Sequence, residues 1–205
     1  MKNLWTRAAA LAVAAAALAA GLPLAPTQAA DDFKVEEGYT SLFNGKDLTG
    51  WKYVGSKESL EGKTETADKR FQVVDGVIVA NEKDARGKGG IRDLYTTRPF
   101  NKDFHLKLEF RAAPKADSGV YIRGPQLQVR DYIRRGEQKQ LKKFKNDDWN
   151  ELDITVKDGV ATCLCNGEPL SPRTMKVPAK SDKGIGLQAE TGKFEFRRIR
   201  IKEMP

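Results

Sequence analysis

The feature that most constrains the fold is a strict alternation of apolar and polar residues. It is clearest in Phe104–Arg111, where Phe104, Leu106, Leu108 and Phe110 take every second position. Successive side chains of a strand point to opposite faces, so a period of two predicts a half-buried antiparallel strand. The same pattern returns in 151–157 and 194–202. The chain is therefore expected to fold as antiparallel sheets that bury one face each.

Turn residues separate these alternating segments. Asp75-Gly76, Asp158-Gly159 and Asn166-Gly167 each stand between two apolar runs, and such pairs favour the type I′ turn of a tight hairpin. From Asp31 onward no segment shows a convincing helical period. Roughly ten strands spaced by about 8–12 residues are typical of a sandwich or a barrel. We predict an all-β, two-sheet antiparallel sandwich, with a barrel as the alternative.

The first thirty residues differ from the rest. Lys2 and Arg7 precede an Ala/Leu/Val run over 8–20, and Thr27-x-Ala29 resembles a cleavage site. This pattern predicts a signal peptide over residues 1–29, one domain over 30–205, and a secreted or periplasmic protein. The run is shorter than the roughly 20 apolar residues of a spanning helix, so no stable membrane anchor is expected after cleavage. A tethering N-terminal helix is the alternative.

The formal net charge is +8, and loss of Lys2 and Arg7 leaves +6 (8 − 2). Much of the excess falls within 130–145, a stretch that attracts polyanions or forms a solvated loop. Export argues against nucleic acid as a partner. The basic residues are Arg134, Arg135, Lys139, Lys142, Lys143 and Lys145.

Cys163 and Cys165 are the only cysteines and stand two residues apart on an expected strand. Their Cα atoms would be about 6.5–7 Å apart, at the limit for a disulfide, so two thiols on one strand face are expected. The single histidine, His105, is far away in sequence, so a closed zinc site at the two cysteines would lack its other two ligands. No cofactor is predicted, a divalent metal is left open, and no oligomeric state is predicted.

Several sequence blocks follow one another in a recognisable order after residue 30. The first is Ser41–Trp51, which reads SLFNGKDLTGW. The later blocks are Phe104–Arg111, Ser118–Arg123, Trp149-Asn150, Asn166-Gly167, Gly186–Gln188 and Phe196–Lys202. Taken in this order, the blocks resemble the 3-keto-disaccharide hydrolase domain family. The resemblance implies an all-β, two-sheet antiparallel jelly-roll sandwich of the concanavalin A-like type, secreted or periplasmic, that acts on oxidised sugars.

The implied reaction has a clear chemical basis. A ketone at sugar carbon 3 acidifies the hydrogen on carbon 2, so a base can remove that proton and the group at carbon 1 can leave. Water then adds across the new double bond. Such a site needs a base, a group that stabilises the developing enolate, and an acid for the leaving oxygen.

Outward-facing side chains supply the candidates. The family commonly reads Glu-x-Gln-x-x-Asp where this chain has Gln126-x-Gln128-x-x-Asp131, so the first acid is an amide here. By the resemblance, Asp131 is the first catalytic candidate, followed by Glu109 and Arg123. The expected substrate-binding residues are Gln126, Gln128, Tyr121, Arg111, Gln188 and Trp149.

Other roles remain open for several of these residues. Arg123 could pair with Glu109 across strands, Asp131 could anchor a loop, and Trp149 could pack at the rim. Glu190, near a position where relatives often have His, acts as a base or faces water. Two functions follow: cleavage of 3-keto-glycosides by proton abstraction, elimination and hydration, or non-catalytic carbohydrate binding by the same surface.

Overall fold

A computed structural model describes residues 33–205, and the predicted signal peptide lies outside this range. The described residues form thirteen β-strands and no α-helix, so no helix among them could cross a membrane. The strands are β1 (Thr40–Ser41), β2 (Trp51–Tyr53), β3 (Phe71–Val74), β4 (Val77–Ala80), β5 (Arg92–Thr96), β6 (Phe104–Ala112), β7 (Asp117–Ile122), β8 (Gln126–Arg130), β9 (Asn150–Lys157), β10 (Val160–Cys165), β11 (Glu168–Lys176), β12 (Ile185–Ala189) and β13 (Phe194–Glu203).

The strands form two antiparallel sheets. The large sheet has the order β11-β10-β9-β6-β13-β4-β3, with β1 paired to β13, and the small sheet has the order β2-β5-β12-β7-β8. The prediction of an all-β, two-sheet sandwich is confirmed. The structure has thirteen strands among the described residues, against roughly ten expected, and the short β1, β2 and β5, of two to five residues, show too little alternation to be recognised from sequence.

The core lies between the inner faces of the two sheets. Along β6 the apolar residues alternate as predicted, and Leu106 and Leu108 are fully buried opposite Ile154 and Leu152 of β9. This confirms the face assignment drawn from the period-two pattern, and the opposite face of β6 is left to polar side chains.

The hairpin turns also agree with the sequence. Asp75 and Gly76 have φ of 49° and 77°, and Asn166 and Gly167 have φ of 49° and 78°. Positive φ at both central residues defines the type I′ turn that the Asp-Gly and Asn-Gly pairs predict. These turns set the registers of β3 with β4 and of β10 with β11.

The cysteines and the basic stretch take simple structural roles. Cys163 and Cys165 are free thiols on one face of β10, as predicted. The structure shows that this face is buried, and burial raises the pKa of each thiol to about 12. Residues 134–148 form an irregular connection between β8 and β9. Within it Arg134 pairs with Asp131 and Asp147, whereas the lysines are exposed.

Truncation of Leu108 should test the core. Leu108→Ala removes a fully buried side chain between the sheets and should lower the free energy of unfolding by about 2–5 kcal/mol, as read from urea denaturation. Val74→Ala is the matched control, because Val74 is 49% exposed on β3 and should change stability by less than about 0.5 kcal/mol. Equal losses in the two variants would contradict the sandwich core.

Candidate functional site

The outer face of the small sheet carries one row of side chains across all five strands. Register places Lys52 opposite Tyr95, Tyr95 opposite Gly186, Gly186 opposite Tyr121, and Tyr121 opposite Gln126. On the same strands Leu94, Val120 and Leu187 point into the core, so the row faces away from it. The row therefore runs across the whole small sheet on the side away from the core.

Gly186 lets the two tyrosines of this row meet. A Cβ atom at Gly186 would lie 2.7 Å from a ring carbon of Tyr95, closer than real contacts allow. With no side chain between them, the rings of Tyr95 and Tyr121 stack at 5.3 Å between centroids. Glycine is thus needed here for close approach, and the stacked rings fix the direction of the Tyr121 hydroxyl.

A chain of hydrogen bonds joins the amides to that hydroxyl. Gln126 Nε2 donates to Gln188 Oε1 over 2.7 Å, and Gln188 Nε2 donates to the Tyr121 hydroxyl oxygen over 2.7 Å. Gly119 makes room for the first of these side chains, since a Cβ there would lie 1.9 Å from Gln126 Nε2. Gln188 is almost fully buried, so its orientation is set by these contacts.

Asp93 lies beside this chain, directly opposite Gln188 on β5. Its side chain is half-buried, and its Oδ1 atom is buried without a hydrogen-bond partner among the described residues. Burial raises the pKa of Asp93, while a hydrogen bond from the Tyr121 hydroxyl and the charge of Lys183 act in the opposite direction. Burial and the Asp93 charge raise the pKa of Tyr121 to about 12, so Tyr121 stays a donor.

The Asp93 carboxylate borders an open cavity of about 280 Å³. Lys52 and Lys183 line the same cavity together with Asp182, and the charge of Lys183 favours the ionised form of Asp93. A desolvated carboxylate can remove a proton, and cations beside it can stabilise the anion that forms on the substrate. The complete lining is Lys52, Val54, Asp93, Tyr95, Asp182 and Lys183.

A second carboxylate with a perturbed pKa follows Gln188 by two residues. Glu190 is partly buried immediately after β12, and burial together with the nearby Asp117 raises its pKa. Asp117 itself is ion-paired with Arg130 over 2.7 Å and with Arg135 over 3.1 Å. Asp117 is therefore part of an ion-pair cluster, beside which Glu190 is partly buried.

Four predicted binding residues lie together on this face: Tyr121, Gln126, Gln128 and Gln188. Three other residues lie on the large sheet or at its border instead. Glu109 pairs there with Arg197 over 2.7 Å and with Arg198 over 2.6 Å, not with Arg123. Arg111 pairs with Glu195, and its guanidinium lies 4.8 Å from the ring centroid of Trp149.

Arg123 and Asp131 also take structural positions. Arg123 is 2% exposed and donates to the carbonyl oxygens of Phe100, Lys102 and Pro178. Asp131 is fully buried and accepts hydrogen bonds from the Lys115 backbone amide and from Arg134, which corresponds to the loop-anchoring alternative.

The expected convergence of Glu109, Arg123 and Asp131 is therefore not found, and a catalytic role for them has no support in this geometry. The cause is topological. Glu109 is on β6 of the large sheet, whereas Arg123 and Asp131 directly follow β7 and β8 of the small sheet. The outward side chains of β6 therefore point to the side of the sandwich opposite the outer face of the small sheet.

The sequence analysis missed Asp93, together with Lys52 and Lys183 around its cavity. A signal was present in Arg92–Thr96, where Leu94 between Asp93 and Tyr95 shows a short alternation. Five residues without an adjoining turn pair are a weak pattern, and only the pairing of β5 with β12 brings Asp93 to Gln188. Among the described residues, no group of three or more His, Cys, Asp or Glu side chains is arranged to hold a metal ion.

Fold and site together define a class: a concanavalin A-like sandwich with a polar, ligand-accessible outer sheet. The chain belongs to the 3-keto-alpha-glucoside-1,2-lyase-like domain family, whose model matches residues 38–202. This confirms the resemblance seen in the sequence. No curated protein sequence matches the chain.

Solved structures share the fold at low sequence identity. Two proposed glycosyl hydrolases from Parabacteroides distasonis are 22% and 19% identical, with TM-scores of 0.59 and 0.57. The matches cover 82% and 81% of this chain, and 95% and 99% of those chains. The exoplasmic/lumenal domain of VIP36, solved with Ca²⁺ and Man3GlcNAc, is 10% identical over 83% of this chain and 90% of that chain, with a TM-score of 0.50.

Replacement of Arg123 should separate its structural role from a catalytic one. Arg123→Met leaves three backbone carbonyl groups without their donor and should lower the free energy of unfolding by roughly 2–4 kcal/mol in urea denaturation. Arg86→Met is the control, since the Arg86 side chain is 86% exposed. An Arg123→Met protein as stable as the control would contradict the structural assignment.

Proposed function

We propose that this protein cleaves 3-keto-glycosides by removing the proton on sugar carbon 2. One observation carries the proposal: the partly desolvated carboxylate of Asp93 borders a cavity with Lys52 and Lys183 on the polar outer sheet. Membership of a family described as 3-keto-alpha-glucoside-1,2-lyase-like supports the choice of reaction. The partner is then a small carbohydrate substrate, bound without any cofactor.

The proposed steps assign one task to each group. Asp93 takes the proton from carbon 2, and the electron pair moves onto the carbon 3 oxygen as an enolate, near Lys183. The enolate collapses to form the carbon 1–carbon 2 double bond, and the leaving oxygen takes a proton from Glu190. Water then adds its hydroxyl to carbon 1 and gives its proton to Glu190, and Asp93 returns its proton to carbon 2, so both carboxyl groups regain their starting states and the net reaction is hydrolysis.

The raised pKa values suit these tasks. A carboxylate that is harder to ionise than a free one is a stronger base when it is ionised, as Asp93 requires. The same effect on Glu190 increases the fraction that holds a proton to donate. Gln126 and Gln188 would bind sugar hydroxyls through amide groups that are already oriented by the hydrogen-bond chain.

Asp93→Asn is the direct test of the base. Release of free sugar from 3-keto-trehalose should fall by about 10²–10⁴-fold, the usual contribution of a general base. The fold should survive, and the melting temperature at pH 7 should not decrease, because the variant removes a charge that burial disfavours.

The matched control is Asp75→Asn, in the exposed turn between β3 and β4, where Asn suits the positive φ. Its activity should equal that of the parent protein. Full activity in Asp93→Asn would remove Asp93 from the mechanism, and sugar binding without turnover in the parent protein would exclude the enzyme.

Tyr121→Phe should shift the pH profile in a defined direction. The Tyr121 hydroxyl stabilises the ionised form of Asp93, so its loss raises the pKa of Asp93 further. The rate depends on ionised Asp93 and rises with pH through that pKa. The acid limb of kcat/KM should therefore move to higher pH in Tyr121→Phe, and a shift to lower pH would contradict the assignment.

A second candidate function is carbohydrate binding without catalysis. The observation in its favour is that the hydrogen-bond chain on this face runs through two amides, Gln126 and Gln188, which bind hydroxyls but transfer no proton. Calorimetric titration with 3-keto-trehalose and with trehalose, next to the turnover assay, separates the two functions.

We further propose that the protein acts outside the cytoplasm, as a secreted or periplasmic protein, on the basis of the signal-peptide pattern in residues 1–29.

A further inference from the structure

The connection between β8 and β9 carries exposed cations that take no part in the proposed reaction. They are Lys139, Lys142, Lys143 and Lys145, and Arg173 of β11 is exposed in the same way. In the part of the chain that the structure describes, none of these five side chains forms an ion pair or donates a hydrogen bond. Arg134 and Arg135 of the same connection are, by contrast, ion-paired. We call the five residues the cation row.

The first half of the row is fastened to β11, the edge strand of the large sheet. Gln138 Nε2 donates to the Ser171 carbonyl oxygen over 2.8 Å, and its Oε1 accepts from the Ser171 backbone amide over 2.8 Å. Gln140 Nε2 donates to the Pro169 carbonyl oxygen over 3.3 Å. Lys139 therefore stands between two residues that are bound to β11.

The second half of the row is attached through its backbone. The Glu168 carboxylate accepts from the backbone amides of Lys142 and Lys143 at 2.7–3.1 Å. The amide and the carbonyl group of Lys145 are both bound by the Asn150 side chain at 2.8 Å. From the first contact to the Glu168 contact, the partners on β11 move from 171 back to 168, so the connection runs antiparallel to the edge and its lysines form a row along it.

Nearby acids leave the row with a net positive charge. Three of them have other donors: Asp147 has Arg134, Glu137 has Arg130, and Asp148 has the Trp149 amide. Glu168 accepts two backbone amides, and these bonds together with the charges of Lys142 and Lys143 lower its pKa. Glu168 thus offsets about one of the five charges of the row.

Apolar side chains of the same segment point away from water. Leu141 is 4% exposed and belongs to the core. The Phe144 ring packs against Tyr132 at 5.6 Å and against Phe110 at 6.2 Å between centroids. A segment that binds a membrane surface combines cations with an exposed apolar face, which residues 139–145 do not present. The row therefore favours a water-soluble polyanion over a lipid bilayer.

We propose that the cation row binds an acidic polysaccharide, a chain of sugars that carries carboxylate or sulfate groups. Repeated negative charges on an extended chain match cations that are held in a row, and each contact releases bound counterions. The row lies at an edge of the large sheet, whereas Asp93 lies on β5 of the small sheet. This binding surface is therefore separate from the site of the proposed reaction.

The double variant Lys142→Gln, Lys143→Gln tests the row. In calorimetric titration with polygalacturonate at about 0.1 M salt, its affinity should fall about 3–30-fold, the effect of two exposed ion pairs. The plot of log affinity against log salt should become less steep by about 1–2. The melting temperature should not change, because both side chains are exposed.

The double variant Lys83→Gln, Lys88→Gln is the matched control. It removes the same charge from two exposed lysines that follow β4, toward the opposite edge of the large sheet. The Debye length at this salt concentration is about 10 Å, so distant charges contribute little. The control should bind polygalacturonate within about twofold of the parent protein.

Equal losses of affinity in the two double variants would show attraction by the overall charge and would overturn the inference. Binding of neutral dextran as tight as that of polygalacturonate, or no binding of polygalacturonate, would overturn it too. Tighter binding to phosphatidylglycerol vesicles than to polygalacturonate would assign the row to a membrane instead. None of these measurements uses turnover of 3-keto-trehalose, so failure of the proposed function and failure of the cation row are distinguishable.

Discussion

The structure depends on the burial of two alternating apolar faces against each other. Leu106 and Leu108 of β6 and Leu152 and Ile154 of β9 are fully excluded from water on the large sheet, and Leu94, Val120 and Leu187 meet them from the small sheet. Because side chains alternate along each strand, every residue that fills this core directs its neighbours outward. The polar outer faces are therefore a consequence of the same packing that stabilises the fold.

Each outer face uses its polar residues differently. On the large sheet, acids and bases neutralise each other: Glu109 pairs with two arginines, and Arg200 bridges Glu36 and Glu151. On the small sheet, Asp117 is likewise paired with Arg130 and Arg135, whereas Asp93 has no arginine partner among the described residues, and burial raises its pKa. A group kept in an unfavourable environment by its surroundings is typical of functional sites. This contrast, rather than the number of charged residues, distinguishes the candidate site from the ion-paired face.

Glycines determine how close the groups of the site come to each other. Gly186 allows Tyr95 and Tyr121 to stack, and Gly119 admits the Gln126 side chain. The bulge in β11 has the opposite origin: residues 170–173 are extra residues that leave the regular ladder. Missing side chains in the small sheet and extra residues in the large sheet are thus the two local departures from regular strand geometry.

The sequence by itself determined the fold class, the hairpin turns at Asp75-Gly76 and Asn166-Gly167, the two thiols on one strand face, the family and the outward position of Tyr121, Gln126, Gln128 and Gln188. These properties depend on local alternation, turn chemistry and ordered motifs, which are readable within a few residues. Only the tertiary structure decided which outward residues share a face. Glu109 and Tyr121 alternate equally well, yet β6 and β7 belong to different sheets, and Asp93 joins Gln188 only through long-range strand pairing. Pairing of distant strands is not encoded in any local period, and for that reason the site had to be located in three dimensions.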